Sequence, residues 1–424
     1  MHSSQSSARP LVNASVDADE RLRPLVQQRF PGGVAVPRGD DRAAVAETKR
    51  LLDEGATLLY DAAFVHDGIL VVVDVLAERR GKWTAYLQRP NTRIKEKLLA
   101  DAALHEQVLH GAGFPLGEVV LLLLNPQYIR RGPVDPVALF AEERIQRRLR
   151  FVQGLVHGRV QMLRGMAAKK ARAAARREAA ADAATPVVPP PPPPPPAPRK
   201  QVPPPEVIVD KGALRAFLKR LHYPLYFMDF EAYQTPIPEW DGHWSFRQIP
   251  FQFSVHCLDA PGGELQHIGY IAPAAVEPTA AFGEALLAAT GDAGSVIVYN
   301  RDSEGLILEQ LKGTHPELTP RVDALLARLV DLMDPFSAGH IRIPDIGNKL
   351  SLKFILPSLL PHMNYDALAI GNGVDANRAY LAIRSSTDEA FVNTTREALL
   401  EYCRLDTLAM VRILERMEEL AADA

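Results

Sequence analysis

The sequence predicts a two-domain α/β protein with a polyproline spacer between its halves. Three observations predict it. An unbroken proline run, Pro189 to Pro196, sits near the middle of the chain. Polyproline makes neither helix nor sheet hydrogen bonds and forms an extended rod of roughly 3 Å per residue, so it marks a domain boundary. On both sides of it, short apolar runs typical of strands interleave with stretches of helical periodicity. Finally, one of these strands, Tyr223-Pro-Leu-Tyr-Phe-Met-Asp-Phe-Glu231, drives straight into two carboxylates.

Composition narrows the classes. A length of 424 residues supports two or three domains, and the charged and apolar fractions are those of ordinary globular proteins. The formal charge of −3 means that polyanion binding has to come from local patches. Cys257 and Cys403 are the only cysteines, which argues against a disulfide framework, a cysteine zinc site or an iron–sulfur cluster. No apolar run reaches membrane-spanning length and the first residues lack a signal-peptide core, so a cytoplasmic protein without a membrane partner is expected.

In chain order, residues 1–19 are expected to form a disordered tail. Within 20–155, Val45–Gly55 has helical character, and Thr57–Phe64, Ile69–Val75 and Trp83–Gln88 read as strands. Asp67-Gly68 marks a hairpin turn between the first two. Lys95–Ala112 has helical periodicity and Val119–Leu124 is a very apolar strand, giving a small α/β domain. From Ala141 the chain turns basic and alanine-rich, which predicts a basic helix able to lie along a phosphate backbone. This segment and the proline run form a linker over 156–205.

The second domain, 206–424, opens with a short strand and a helix over Lys211–Leu221. The acid-bearing strand follows, then strands over Gln248–His256 and Gly263–Ala272. A helix over Pro278–Ala289, a strand at Ser295–Tyr299 and helices over Asp302–Lys312 and Arg321–Val330 come next. Asp331 and Asp334 read as capping acids.

Residues i and i+2 of a strand share a face, so Asp229 and Glu231 project together. Like charges that close repel, and a divalent cation relieves the repulsion. Near the far end, Leu399, Cys403, Met410, Val411 and Leu414 define an amphipathic helix on which Tyr402 and Asp406, four apart, lie on one face. A buried acid there needs a partner.

An Asp-x-Glu strand followed much later by a Tyr-x-x-x-Asp helix resembles the DEDD exonucleases, the DnaQ-like branch of the RNase H-like fold. The resemblance implies that the strand acids and the late Asp406 hold two Mg²⁺ or Mn²⁺ ions and that Tyr402 orients the attacking water. It also implies a middle motif, an Asn after a strand and an acid four residues on. Ser295-Val-Ile-Val-Tyr-Asn300 supplies the first and Glu304 the second, with Asp302 a nearby rival. The expected metal set is Asp229, Glu231, Glu304 and Asp406. Phe230, Tyr233 and Trp244 are expected to stack on terminal bases, and Asn300, Ser351 and Lys353 to lie on the substrate side.

The first domain is similar to PD-(D/E)XK nucleases of the RecB-like type. Asp74 stands where that family's first metal acid belongs. The strand Glu position falls on Leu87, the Lys on Arg89 and the helix Gln on His105. A leucine cannot coordinate a cation, so this second site is expected to be degenerate, with Asp61, Asp74 and His105 its remaining polar groups. The whole arrangement resembles a bacterial domain-of-unknown-function family that fuses both nuclease regions, in which the middle acid is Glu. The expected activity is 3′–5′ hydrolysis of DNA or RNA from a single-stranded end. The rival expectation is a non-catalytic nucleic-acid-binding or scaffold protein that has kept both folds.

Overall fold

A computed structural model describes residues 14–152, 158, 207–273 and 276–422. The proline run and most of the basic segment lie outside the described residues. The chain is mixed α/β and divides into two compact units, the first holding residues up to Pro195 with Thr235–Arg247, the second the remainder. The excursion 235–247 thus groups with the first unit, whereas the sequence reading placed it in the second domain.

Unit 1 opens with helix α1 (Ala14–Arg29), which begins inside the segment expected to be a tail. Strand β1 (Val34–Ala35) and helix α2 (Asp41–Asp53) follow, then β2 (Leu58–His66), β3 (Ile69–Arg79), β4 (Lys82–Arg89), helix α3 (Glu96–Gly111) and β5 (Leu116–Leu124). A short helix α4 (Pro136–Leu139) leads into β6 (Phe140–Arg144), where the sequence pattern had suggested the start of the basic helix. The six strands form one sheet in the order β1-β2-β3-β4-β5-β6. The β2–β3 hairpin turns on Asp67 (φ 52°) and Gly68 (φ 74°), the pair of left-handed residues that a tight hairpin demands. Strand alternation splits the core. Leu76, Leu87 and Leu121 face α2 and α3, while Val75, Tyr86 and Val120 face Leu22 and Val26 of α1.

Unit 2 begins with β7 (Ile208–Val209) and α5 (Lys211–Leu218). A five-stranded sheet follows, built from β8 (Leu225–Tyr233), β9 (Ile249–Leu258), β10 (Leu265–Ile271), β11 (Ser295–Val298) and β12 (Leu329–Asp331) in the order β10-β9-β8-β11-β12. The first three form an antiparallel meander, and β11 runs parallel to both β8 and β12. Helix α6 (Thr279–Ala289) precedes β11, and α7 (Arg301–Thr314) and α8 (Thr319–Ala327) separate it from β12. After α9 (Asp334–Ser337) and β13 (Ile341–Arg342) come α10 (Leu352–Leu359), α11 (Gly373–Arg384) and α12 (Glu389–Ala421).

The 33-residue α12 is capped by Asp388, whose carboxylate accepts the Phe391 N–H at 3.1 Å. Its buried stripe, Cys403, Met410, Ile413, Leu414 and Met417, packs on the sheet face that holds Phe227 and Ile297. Met228 and Phe230 alternate to the opposite face, against α6 and α7. Each such buried side chain contributes about 1.5–3 kcal/mol, which fixes the β8 register and aims Asp229 and Glu231 at α12.

Candidate metal centre

Asp229, Glu231 and Asp406 each present a ligand atom within 4.8 Å of the others. Residues nearly two hundred positions apart meet because β8 sends its odd-numbered side chains toward the buried stripe of α12. Cys403, one α-helical turn before Asp406, donates its thiol toward Asp229 Oδ2 at 3.6 Å.

Glu304 joins them electrostatically. It sits in the first turn of α7, is only 6 % exposed, and its Oε2 has no hydrogen-bond partner among the described residues. Asp302, the rival acid, is exposed on the same turn. The α7 start is held by Asp331, whose carboxylate accepts the N–H groups of Asn300 (3.0 Å), Arg301 (2.8 Å) and Met333 (2.9 Å). That is the capping role expected of this acid, and it leaves Glu304 to face inward.

The proton affinities report the crowding. Burial, then the charges of Asp406, Glu304 and Glu231, push Asp229 well above the usual carboxylate range. Burial, reinforced by the Asp406 charge, lifts Glu231 to about 8, against the opposing pull of Lys353 and Tyr402. Glu304 is also raised to about 8, first by burial and then by the charges of Asp331 and Glu231. Asp406 rises less, to about 6, because hydrogen bonds from Tyr365 and Tyr402 and the nearby Lys353 ammonium offset its burial. Among the described residues no Arg or Lys nitrogen comes within 4 Å of these four carboxylates.

Lys353 lies at the edge of the cluster. Its Nζ donates to the Gly371 carbonyl at 2.6 Å and stands 5.6 and 5.8 Å from the ring centroids of Tyr365 and Tyr402. Tyr402 is buried against Glu231 and Asp406, and burial raises its phenol well above the ordinary value. Ser351 is exposed at the N-cap of α10, and Asn300 is exposed with its side chain turned to Ser303 Oγ at 2.9 Å.

The stacking expectation is corrected. Phe230 points to the opposite sheet face and meets Phe282 edge-on, with centroids 5.6 Å apart. Tyr233 is fully buried between Phe251 and Tyr380. Neither ring is available to a base, because a strand that buries both faces leaves no aromatic at the surface. Trp244 belongs to unit 1, with the Arg247 guanidinium 5.3 Å from its ring.

Sequence reasoning missed one contact of the cluster and one exposed aromatic on the helix that carries Lys353. Tyr365 donates its hydroxyl to Asp406 Oδ1 at 2.5 Å. Phe354 is the exposed aromatic of α10, 44 % accessible, with Lys349 Nζ 5.0 Å from its ring. Tyr365 falls in a turn-forming stretch, Asn364-Tyr-Asp366, that carries no periodic signal. Phe354 had a findable one, an aromatic out of phase with the apolar stripe of its helix.

In unit 1, Asp74, Arg89 and His105 do come together, but as an ion-pair network. Arg89 donates to Asp74 Oδ2 at 3.1 Å and to Asp101 Oδ2 at 2.5 Å. His105 is tied to the Asp101 carbonyl (2.8 Å) and near the Val72 carbonyl (3.2 Å). Asp61 pairs with Arg23 (3.3 Å) and Arg38 (2.5 Å). Leu87 is wholly buried in the apolar core.

Residues 226–351 match the sequence model of a domain-of-unknown-function family, DUF2779. The match spans Asp229, Glu231 and Glu304 and ends before Tyr402 and Asp406. Neither a curated protein nor a solved structure gives a match. Among the described residues, no helix is long and apolar enough to cross a membrane.

Proposed function

We propose that unit 2 is a divalent-metal-dependent phosphodiesterase acting on a nucleic-acid strand, a 3′–5′ exonuclease of the DEDD type on an RNase H-like fold. The observation that carries the reading is the close-set carboxylates of Asp229, Glu231 and Asp406, with no Arg or Lys nitrogen within 4 Å among the described residues, and beside them the buried Glu304, coupled to them by charge and with its Oε2 unpartnered. Uncompensated buried carboxylates are costly unless they are paired or hold a metal. An all-oxygen set suits hard cations, so Asp229, Glu231, Glu304 and Asp406 would hold a pair of Mg²⁺ or Mn²⁺ ions. Bound there, such ions polarise a phosphodiester and lower the pKa of the attacking water. The meander followed by helix, strand and helix supports the fold assignment.

The chain's own groups supply the rest. The Tyr402 hydroxyl, protonated at neutral pH, orients the water by hydrogen bonding and does not act as its base. Lys353 and Lys349 present ammonium groups to the phosphates. Phe354 offers the face on which a terminal base stacks. Unit 1 is read as a non-catalytic nuclease-like PD-(D/E)XK domain, because Arg89 and Arg38 already neutralise its acids.

The test is digestion of 5′-labelled single-stranded DNA and RNA with Mg²⁺ or Mn²⁺. Stepwise shortening that disappears with chelator and in Asp229→Asn is the expected result. Binding without cleavage of either polymer would instead favour a nucleic-acid-binding scaffold.

A further inference from the structure

We propose that Tyr365 is a positioning residue for Asp406, and that the loop between α10 and α11 exists to carry it there. The inference rests on the metal reading above and adds to it a residue outside the strand and helix motifs. Asp406 stands on a helix and reaches the cluster through a side chain with two rotatable bonds. The Tyr365 hydroxyl donates to Oδ1 at 2.5 Å and, with the second hydrogen bond from Tyr402, fixes how the carboxylate is turned. Hydrogen-bonded ligating carboxylates are the rule in metal sites, and such partners set both ligand orientation and affinity.

The loop is fastened so that this hydroxyl stays in place. The Tyr365 ring lies 6.2 Å from that of Tyr402 and 5.6 Å from the Lys353 ammonium. Lys353 in turn grips the carbonyl of Gly371 at the far end of the loop, at 2.6 Å. Two residues on, Gly373 comes so close to Glu231 that a Cβ there would sit 3.2 Å from Oε2. The loop therefore meets the cluster at Asp406, Lys353 and Glu231, and each contact fixes the next.

Isothermal titration of the full chain with Mn²⁺ tests the idea, with Tyr365→Phe keeping the ring and losing only the hydroxyl. The expected result is at least about tenfold weaker Mn²⁺ binding, with hydrolysis recovered at saturating Mn²⁺. In an Asp406→Asn background the same change should have no further effect on Mn²⁺ binding, an outcome that a general packing role would not produce. Equal Mn²⁺ affinity for the chain and Tyr365→Phe, or an undiminished effect in Asp406→Asn, overturns this inference and leaves the metal reading standing. A wild-type chain that binds no Mn²⁺ overturns both.

Discussion

Both units bring carboxylates together on a sheet, and each answers their repulsion in its own way. In unit 1, Arg89 sits between Asp74 and Asp101, and Arg23 and Arg38 flank Asp61. Every one of these acids has a guanidinium within 4 Å, so the cluster is complete as folded. In unit 2, neutral donors (Tyr365, Tyr402 and Cys403) reach the acids, Lys353 acts from a distance on Glu231 and Asp406 only, and the proton affinities of Asp229, Glu231, Glu304 and Asp406 climb together. Burial raises Asp61 and Asp74 as well, so the difference lies in the partners: a guanidinium stands against each unit 1 acid, and the unit 2 cluster is the one proposed to take its cation from outside.

The largest expected effect comes from removing a charge in unit 2. Asp229→Asn should lower metal-dependent hydrolysis by about a thousandfold, on the order of 4 kcal/mol. It should also raise the melting temperature of the metal-free chain, by relieving like-charge crowding. A chain that melts lower and cleaves as before would contradict both halves of the contrast.

The mirror experiment belongs to unit 1. Arg89→Met leaves Asp74 and Asp101 without their shared counterion. Arg89, Asp74 and Asp101 are 20 %, 26 % and 37 % exposed, so solvent screening brings the expected loss down to about 2 kcal/mol, below the range for fully buried pairs. Urea unfolding measures it, and an unchanged midpoint would show that the arginine is not the counterion argued here.

A smaller effect is expected at the surface. Phe354→Ala should weaken binding of a single-stranded oligonucleotide by about 1–2 kcal/mol, the scale of one lost stacking platform. Hydrolysis of a small phosphodiester without a base should not change. Equal losses on both substrates would point to disturbed folding of α10.

A test that needs no substitution is pH. Glu231 and Glu304 move from 4.5 to about 8, so between those values the folded chain holds protons that the unfolded chain has released. Stability of the metal-free chain is therefore greatest at the acid end of that window and falls as pH rises toward 8. Mn²⁺ should flatten the slope, because it replaces the lost protons. Melting curves from pH 5 to 8 that rise in the absence of metal would contradict the assignment.

Much of this was legible beforehand. The β2, β3, β4, β5, β8 and α12 segments follow from apolar runs and helical spacing, and of the four acids that the resemblance implied, Asp229, Glu231 and Asp406 come together while Glu304 lies in electrostatic reach. What failed did so for physical reasons. Phe230 and Tyr233, expected to stack on terminal bases, are core instead, since β8 is buried on both faces. Residues 140–144, Phe-Ala-Glu-Glu-Arg, open the stretch read as a basic helix but pair with β5 as an edge strand, where charged side chains are tolerated. Tyr365 left no trace in the sequence, because a loop contact has no period and only the folded chain shows which carboxylate its hydroxyl meets.

The most direct test of the central claim is a crystal of the full chain soaked in Mn²⁺ and measured for anomalous scattering. The account predicts peaks bounded by Asp229, Glu231, Glu304 and Asp406, and none beside Asp61 or Asp74. Peaks at the arginine-paired acids, or an empty unit 2 at saturating Mn²⁺, would contradict it.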